Sequence, residues 1–171
     1  YRFHQGQKKL PFSDAEYETR LGLLRQTMRD AAIDACVLTS MHNVSYYSGF
    51  LYCAFGRPYA LVVTATDSVT FSAGIDAAQP WRRCYGDNIT YTDWRRNNYW
   101  RAILSVTGAG KTIGYEGDHI SLSQMHLLEA FLSPSKTIDV APATMMQRMH
   151  KSPAERELIQ AGAATADIGG Y

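Results

Sequence analysis

The chain has 171 residues, 46% hydrophobic and 19% charged, a globular balance that suits one domain or one domain plus part of another. A formal net charge of +1 gives no field that would gather nucleic acid or an acidic membrane, and no stretch approaches the ~20 apolar residues of a membrane span. Cys36, Cys53 and Cys84 are odd in number and lack a C-x-x-C pair, which excludes a disulfide framework and a zinc knuckle and points to reduced thiols in the cytoplasm.

The opening "YRFHQGQKKL" has two lysines but no apolar run behind them, so it is no secretory signal. With no initial methionine and an end at "ADIGGY", both termini read as those of a fragment. Ser13, with Glu16 three residues on, predicts a capping box, and Tyr17, Leu21, Leu24 and Met28 then mark one apolar helix face. "IDACVLTS" (33–40) reads as a buried strand with Cys36 as a small core thiol, and "MHNVSYYSGF" as a helical turn ending near Gly49. Residues 59–66 and 68–74 predict a hairpin turning at Asp67, followed by a crossover broken by Pro80. A strand over 88–94, a helix over 97–108 stopping at Gly108, a strand over 111–117, a helix over 121–133 and a strand over 136–142 come next. "MMQRMHK" is left without an element. Ser152, Pro153 and Glu155 then announce a new helix. This alternation predicts an α/β domain, a mixed β-sheet flanked by helices.

The familiar catalytic motifs fail. "GAGKT" (108–112) lacks the glycine a phosphate loop needs at Ser105, and a helix precedes it where a strand should. His4, His42, His119, His126 and His150 offer no i, i+4 pair and no H-E-x-x-H, so no metal site is expected. Glu116 and Asp118 beside His119 have the chemistry for acid–base work, but hydrogen bonds to loop amides are the commoner fate of such carboxylates. No G-x-S-x-G elbow occurs, and no catalytic residue or cofactor is assigned. Tyrosines and tryptophans interleaved with Arg82, Arg83, Arg95, Arg96 and Arg101 fit a protein interface better than nucleic acid at this net charge.

"AFGRPY" holds the sharpest candidate. Gly56 permits a sharp turn and Pro58 stiffens the chain, so Arg57 is held on a short loop with a planar fork suited to a carboxylate. Phe55 offers a ring face to a small planar or methylated cation, and together they describe half a site for a small zwitterion. The competing reading is a structural ion pair from Arg57 to a carboxylate of this chain, with Phe55 in the core.

The stretches 39–64, 76–100 and 145–170 resemble the creatinase (creatine amidinohydrolase) family within the pita-bread group of aminopeptidase P and prolidase. The resemblance implies that residues 1–150 form the amino-terminal domain of a longer enzyme and that 151–171 begin its carboxy-terminal catalytic domain. It further implies hydrolysis of creatine to sarcosine and urea without a metal, with a histidine and glutamates of the missing domain doing the chemistry. The enzyme would be a homodimer in which Phe55 and Arg57 reach the partner's active site, the arginine meeting the substrate carboxylate. The isolated chain is then expected to be inactive. The alternatives are the amino-terminal domain of an Xaa-Pro metallopeptidase and a non-catalytic dimerisation or ligand-binding domain.

Overall fold

Residues 1–3, 10–51, 56–76 and 80–170 are described by the structure, a computed structural model of the chain. Ser13 accepts the Glu16 amide hydrogen at 3.3 Å and opens α1 (Asp14–Asp30), whose Tyr17, Leu21, Leu24 and Met28 are all buried as their spacing predicts. The capping box there is only half formed. The Glu16 carboxylate instead turns to Arg20, which is buried on the same helix and needs a counter-charge.

The chain continues through β2 (Ala35–Leu38), α2 (Met41–Ser48) and a hairpin of β3 (Ala60–Thr64) and β4 (Ser68–Ala73). Helix α2 stops at Gly49, whose φ of 70° is left-handed and whose site has no room for a Cβ under the Tyr17 hydroxyl. Short 3₁₀ turns at Gly74–Asp76 and Pro80–Arg82 lead to β5 (Asp87–Tyr91). Then come α3 (Asn98–Thr107), β6 (Thr112–Tyr115), α4 (Leu122–Leu132) and β7 (Lys136–Asp139). "GAGKT" thus joins a helix to a strand, the reverse of the order phosphate binding requires.

Two elements lie outside the sequence expectations. Strand β1 (Arg2–Phe3) pairs antiparallel with β5, and Arg2 fastens it to Asp67 and Asp87 at 3.0 and 2.7 Å. Helix α5 (Ala141–Met149) begins where the last strand was expected to run on to Pro142. Pro142 lies in its first turn, and the Asp139 carboxylate accepts the Ala141 amide hydrogen at 2.9 Å, so the strand ends at Asp139. Helix α6 (Pro153–Gly169) starts with the complete capping box of Ser152 and Glu155 and buries no residue.

The strands form one mixed sheet in the order β1-β5-β4-β3-β2-β6-β7. Neighbours β5/β4, β2/β6 and β6/β7 are parallel, and the rest antiparallel. Alternate residues feed two cores. Cys36, Leu38, Leu61 and Val63 pack with α1 and α2 on one face, while Val37, Val62, Val69 and Phe71 pack with α3 and α4 on the other. Cover on both faces explains why these strands read as continuous apolar runs. Among the described residues, no helix is long and apolar enough to cross a membrane.

Candidate functional site

Parallel strands β2 and β6 are neighbours, yet the chain leaves β2 into α2 on one face and β6 into α4 on the other. Divergence of this kind opens a crevice beyond the strands' carboxyl ends, where α/β sheets place ligands. A cleft of about 260 Å³ lies there, lined among others by Thr39, Arg57, Tyr59, Trp100, His119 and Gln124.

One wall is set by Glu116, fully buried just past β6. Its Oε2 accepts the amide hydrogens of Thr39 and Ser40, the latter at 2.8 Å; its Oε1 accepts the Ser40 hydroxyl and Asn43 Nδ2, the latter at 2.6 Å. The carboxylate therefore ties the end of β2 and the first turn of α2 to β6, with its charge at the helix's positive end. Its sequence-expected use, bonding loop amides, is the one found. Asp118 and His119 lie at the exposed mouth, and His119 Nδ1 is 3.0 Å from the Thr39 hydroxyl.

The opposite wall is the loop carrying Arg57. Gly56 takes φ 84°, the sharp turn its position called for. Two phenols from the far side then hold the loop's carbonyls: Tyr91 donates to Pro58 O at 2.6 Å and Tyr99 to Tyr59 O at 3.2 Å. Burial pushes the Tyr99 hydroxyl well above the ordinary phenol range, so it stays a donor. Trp100 Nε1 donates to Gln124 Oε1 at 3.2 Å and joins α3 to α4 at the cleft's back.

Arg57 itself is half exposed, and its Nη2 lies 3.1 Å from Asp93 Oδ2, on the turn after β5. The ion pair foreseen as the competing reading is thus present, but it engages one nitrogen of the fork. Both side chains are about half in solvent, where such a pair contributes little, ~0–1 kcal/mol. Phe55 falls outside the described residues. The aromatic–basic cluster divides: Tyr99 and Trp100 are core, whereas Trp94 is 92% exposed beside exposed Arg95 and Arg96. Tyr91, Tyr99 and Asp93 were not singled out from sequence, because only the fold brings them to the arginine loop. No set of three or more His, Cys, Asp or Glu stands close enough to hold a metal among the described residues.

The sequence matches the family described as Creatinase/Prolidase N-terminal domain over residues 20–150. It is 46% identical over 170 residues to a creatinase of Bacillus sp. (strain B-0618). That match covers 96% of this chain but 41% of the relative, so the chain spans about two fifths of the curated creatinase's length. The structure is similar to the Creatinase/Prolidase N-terminal domain of an X-Pro dipeptidase from Streptococcus pyogenes, with TM-score 0.66, 21% identity, and coverage of 75% of this chain and 98% of that one. It is also similar to the prolidase from Pyrococcus horikoshii OT3, with TM-score 0.74, 16% identity, and coverage of 87% and 40%. At these identities the two structures speak to the fold.

Proposed function

The chain belongs to the Creatinase/Prolidase N-terminal domain family, and from that premise we propose that it is the amino-terminal domain of a creatinase-like C–N hydrolase. The reaction would be creatine plus water to sarcosine plus urea. This domain would supply subunit contacts and, in trans, a clamp for the substrate carboxylate. The observation that carries the reading is the placement of Arg57. It stands at the mouth of the switch-point cleft on a loop pinned by Tyr91 and Tyr99, half exposed, with one guanidinium nitrogen on Asp93 as its ion pair among the described residues. An arginine so held presents a fork to a planar carboxylate at small entropic cost. The 46% identity to a creatinase favours creatine, or a close guanidino analogue, as the molecule bearing that carboxylate.

A subunit contact would use Trp94, which is exposed beside exposed Arg95 and Arg96, Trp and Arg being the residue types that anchor interfaces. Phe55 would accompany Arg57 toward the partner. Helix α6 would open the catalytic domain that begins near residue 151, since it buries nothing against the sheet. The chain alone would be inactive, the acid–base groups lying beyond it. A cytoplasmic setting suits Cys36, which is a buried free thiol. A second reading, an Xaa-Pro peptidase, is favoured by the prolidase-like fold neighbours, and a peptide carboxylate would meet the same arginine.

Urea release from creatine by the longer protein separates the two. Urea production establishes the amidinohydrolase; cleavage of Xaa-Pro dipeptides without urea overturns it in favour of the peptidase.

A further inference from the structure

Arg57 lines two adjoining hollows that share Pro58, Tyr99, Trp100 and Gln124 as walls. The larger, about 260 Å³, opens toward Thr39 and His119, and the smaller, about 130 Å³, contains Asp93 and Asn97. Arg57 leans toward the smaller one, with Nη2 on Asp93 Oδ2 at 3.1 Å. Asp93 is not loose. Its turn is fastened at the base, where Asn98 Nδ2 donates to Thr92 O at 2.7 Å. A carboxylate of the chain is therefore held against the very group that the proposed function gives to the substrate's carboxylate.

Two features decide what this contact can do. First, Asp93 takes one nitrogen, whereas a planar carboxylate approaching the fork edge-on takes two parallel N–H bonds. Second, both partners are half in water, so separating them costs little. A stable structural pair would be bidentate and dry. A second carboxylate at the guanidinium must also approach the charge of Asp93, and like charges ~4 Å apart repel by about 1 kcal/mol even in water.

Resting on the reading of Arg57 as a clamp, we propose that Asp93 is a resident carboxylate that occupies Arg57 between turnovers and is displaced by the ligand's own. Asp93 acts as a specificity-determining residue. Ligands able to take both N–H donors displace it, and those offering a single weak acceptor do not. Empty, the clamp is neutralised, which spares a half-exposed arginine from capturing stray anions.

The test is steady-state kinetics of the longer hydrolase with creatine, comparing Asp93→Asn, Arg57→Ala and the unaltered protein. Asp93→Asn is expected to lower KM for creatine roughly two- to five-fold with kcat unchanged, since about 1 kcal/mol of competition is removed. The Ki of N,N-dimethylguanidine, which has a methyl in place of creatine's carboxymethyl group, should stay the same in that variant. A KM that is unchanged or raised, or a Ki that falls alongside it, overturns the proposal. Arg57→Ala reports separately on the clamp: if it leaves KM unaltered, the functional reading has failed, whatever Asp93→Asn does.

Discussion

Replacing Glu116 is the sharpest test of how the cleft is built. Its two oxygens take four close donors and, at 3.5 Å, the Thr39 hydroxyl as a fifth, all from the Thr39–Asn43 segment. Glu116→Gln keeps the volume but turns one oxygen into an NH2 group. The Thr39 and Ser40 amides cannot reverse, so the new NH2 must face the Ser40 hydroxyl and Asn43 Nδ2. Asn43 cannot flip to oblige it, because its Oδ1 already accepts from Arg148 Nη1. The Ser40 oxygen, which already accepts the Asn43 amide hydrogen at 3.1 Å, can take the new NH2 on its second lone pair, but the Ser40 proton then has lost its acceptor. Two buried donors are left unmet at roughly 1–3 kcal/mol each, so Glu116→Gln should cost about 3 kcal/mol and Glu116→Ala about 4 kcal/mol or more. For a chain of this size, 3 kcal/mol lowers Tm by roughly 6–12 °C. Urea denaturation gives the stability, and hydrogen exchange locates the loss, which should appear first at the amides of Thr39, Ser40 and Asn43. A Glu116→Gln variant within 1 kcal/mol of the parent, or one whose exchange rises elsewhere first, would refute the reasoning.

Arg20 lies between the rings of Phe12 and Tyr46 at 4.2 and 4.4 Å, donates to Tyr46 O at 2.9 Å, and has Nη2 3.0 Å from Glu16 and 3.4 Å from Glu155. Arg20→Ala strands two carboxylates that keep some water contact and should destabilise by about 2–3 kcal/mol, read by urea denaturation, with the start of α6 loosening in hydrogen exchange. A loss below 1 kcal/mol would mean the cage is decorative. Stability should also fall in base. Burial raises the Cys36 thiol from 9.0 to about 12 and the Tyr17 phenol from 10.0 to about 12, so both stay protonated when folded. Above pH 9 the unfolded chain loses these protons and the folded chain does not; the unfolded state binds fewer, and stability drops as pH climbs toward about 12. Urea titrations across that window check the slope. A flat profile would contradict it.

How much of this was legible in the sequence depended on how local each cause is. Helix α1 and strands β2 to β4 declare themselves because each carries its own buried stripe or run. Helix α5 does not, since Met145, Met146 and Met149 are exposed and its anchors are polar: Thr144 meets Asn43, and Gln147 receives the Tyr47 hydroxyl. Strand β1 has two residues and exists only beside β5. Near the site, the turn at Gly56 and the amide-bonded fate of Glu116 follow from residue chemistry at hand. The Arg57–Asp93 contact and the phenols of Tyr91 and Tyr99 do not, because the sheet order alone brings those positions together. The capping box at Ser13 fails halfway for a like reason: a distant need, charge for buried Arg20, outbids a local one.

The central claim is that Arg57 meets a substrate carboxylate. The most direct measurement is the KM for creatine beside the Ki of N,N-dimethylguanidine, in the longer hydrolase and in its Arg57→Ala variant. Losing the two-bond charge-assisted contact proposed for the substrate carboxylate, about 1.5–2 kcal/mol, should raise the creatine KM roughly ten- to thirty-fold while the carboxylate-free inhibitor binds as before. An unchanged creatine KM, or both constants rising together, would contradict the account.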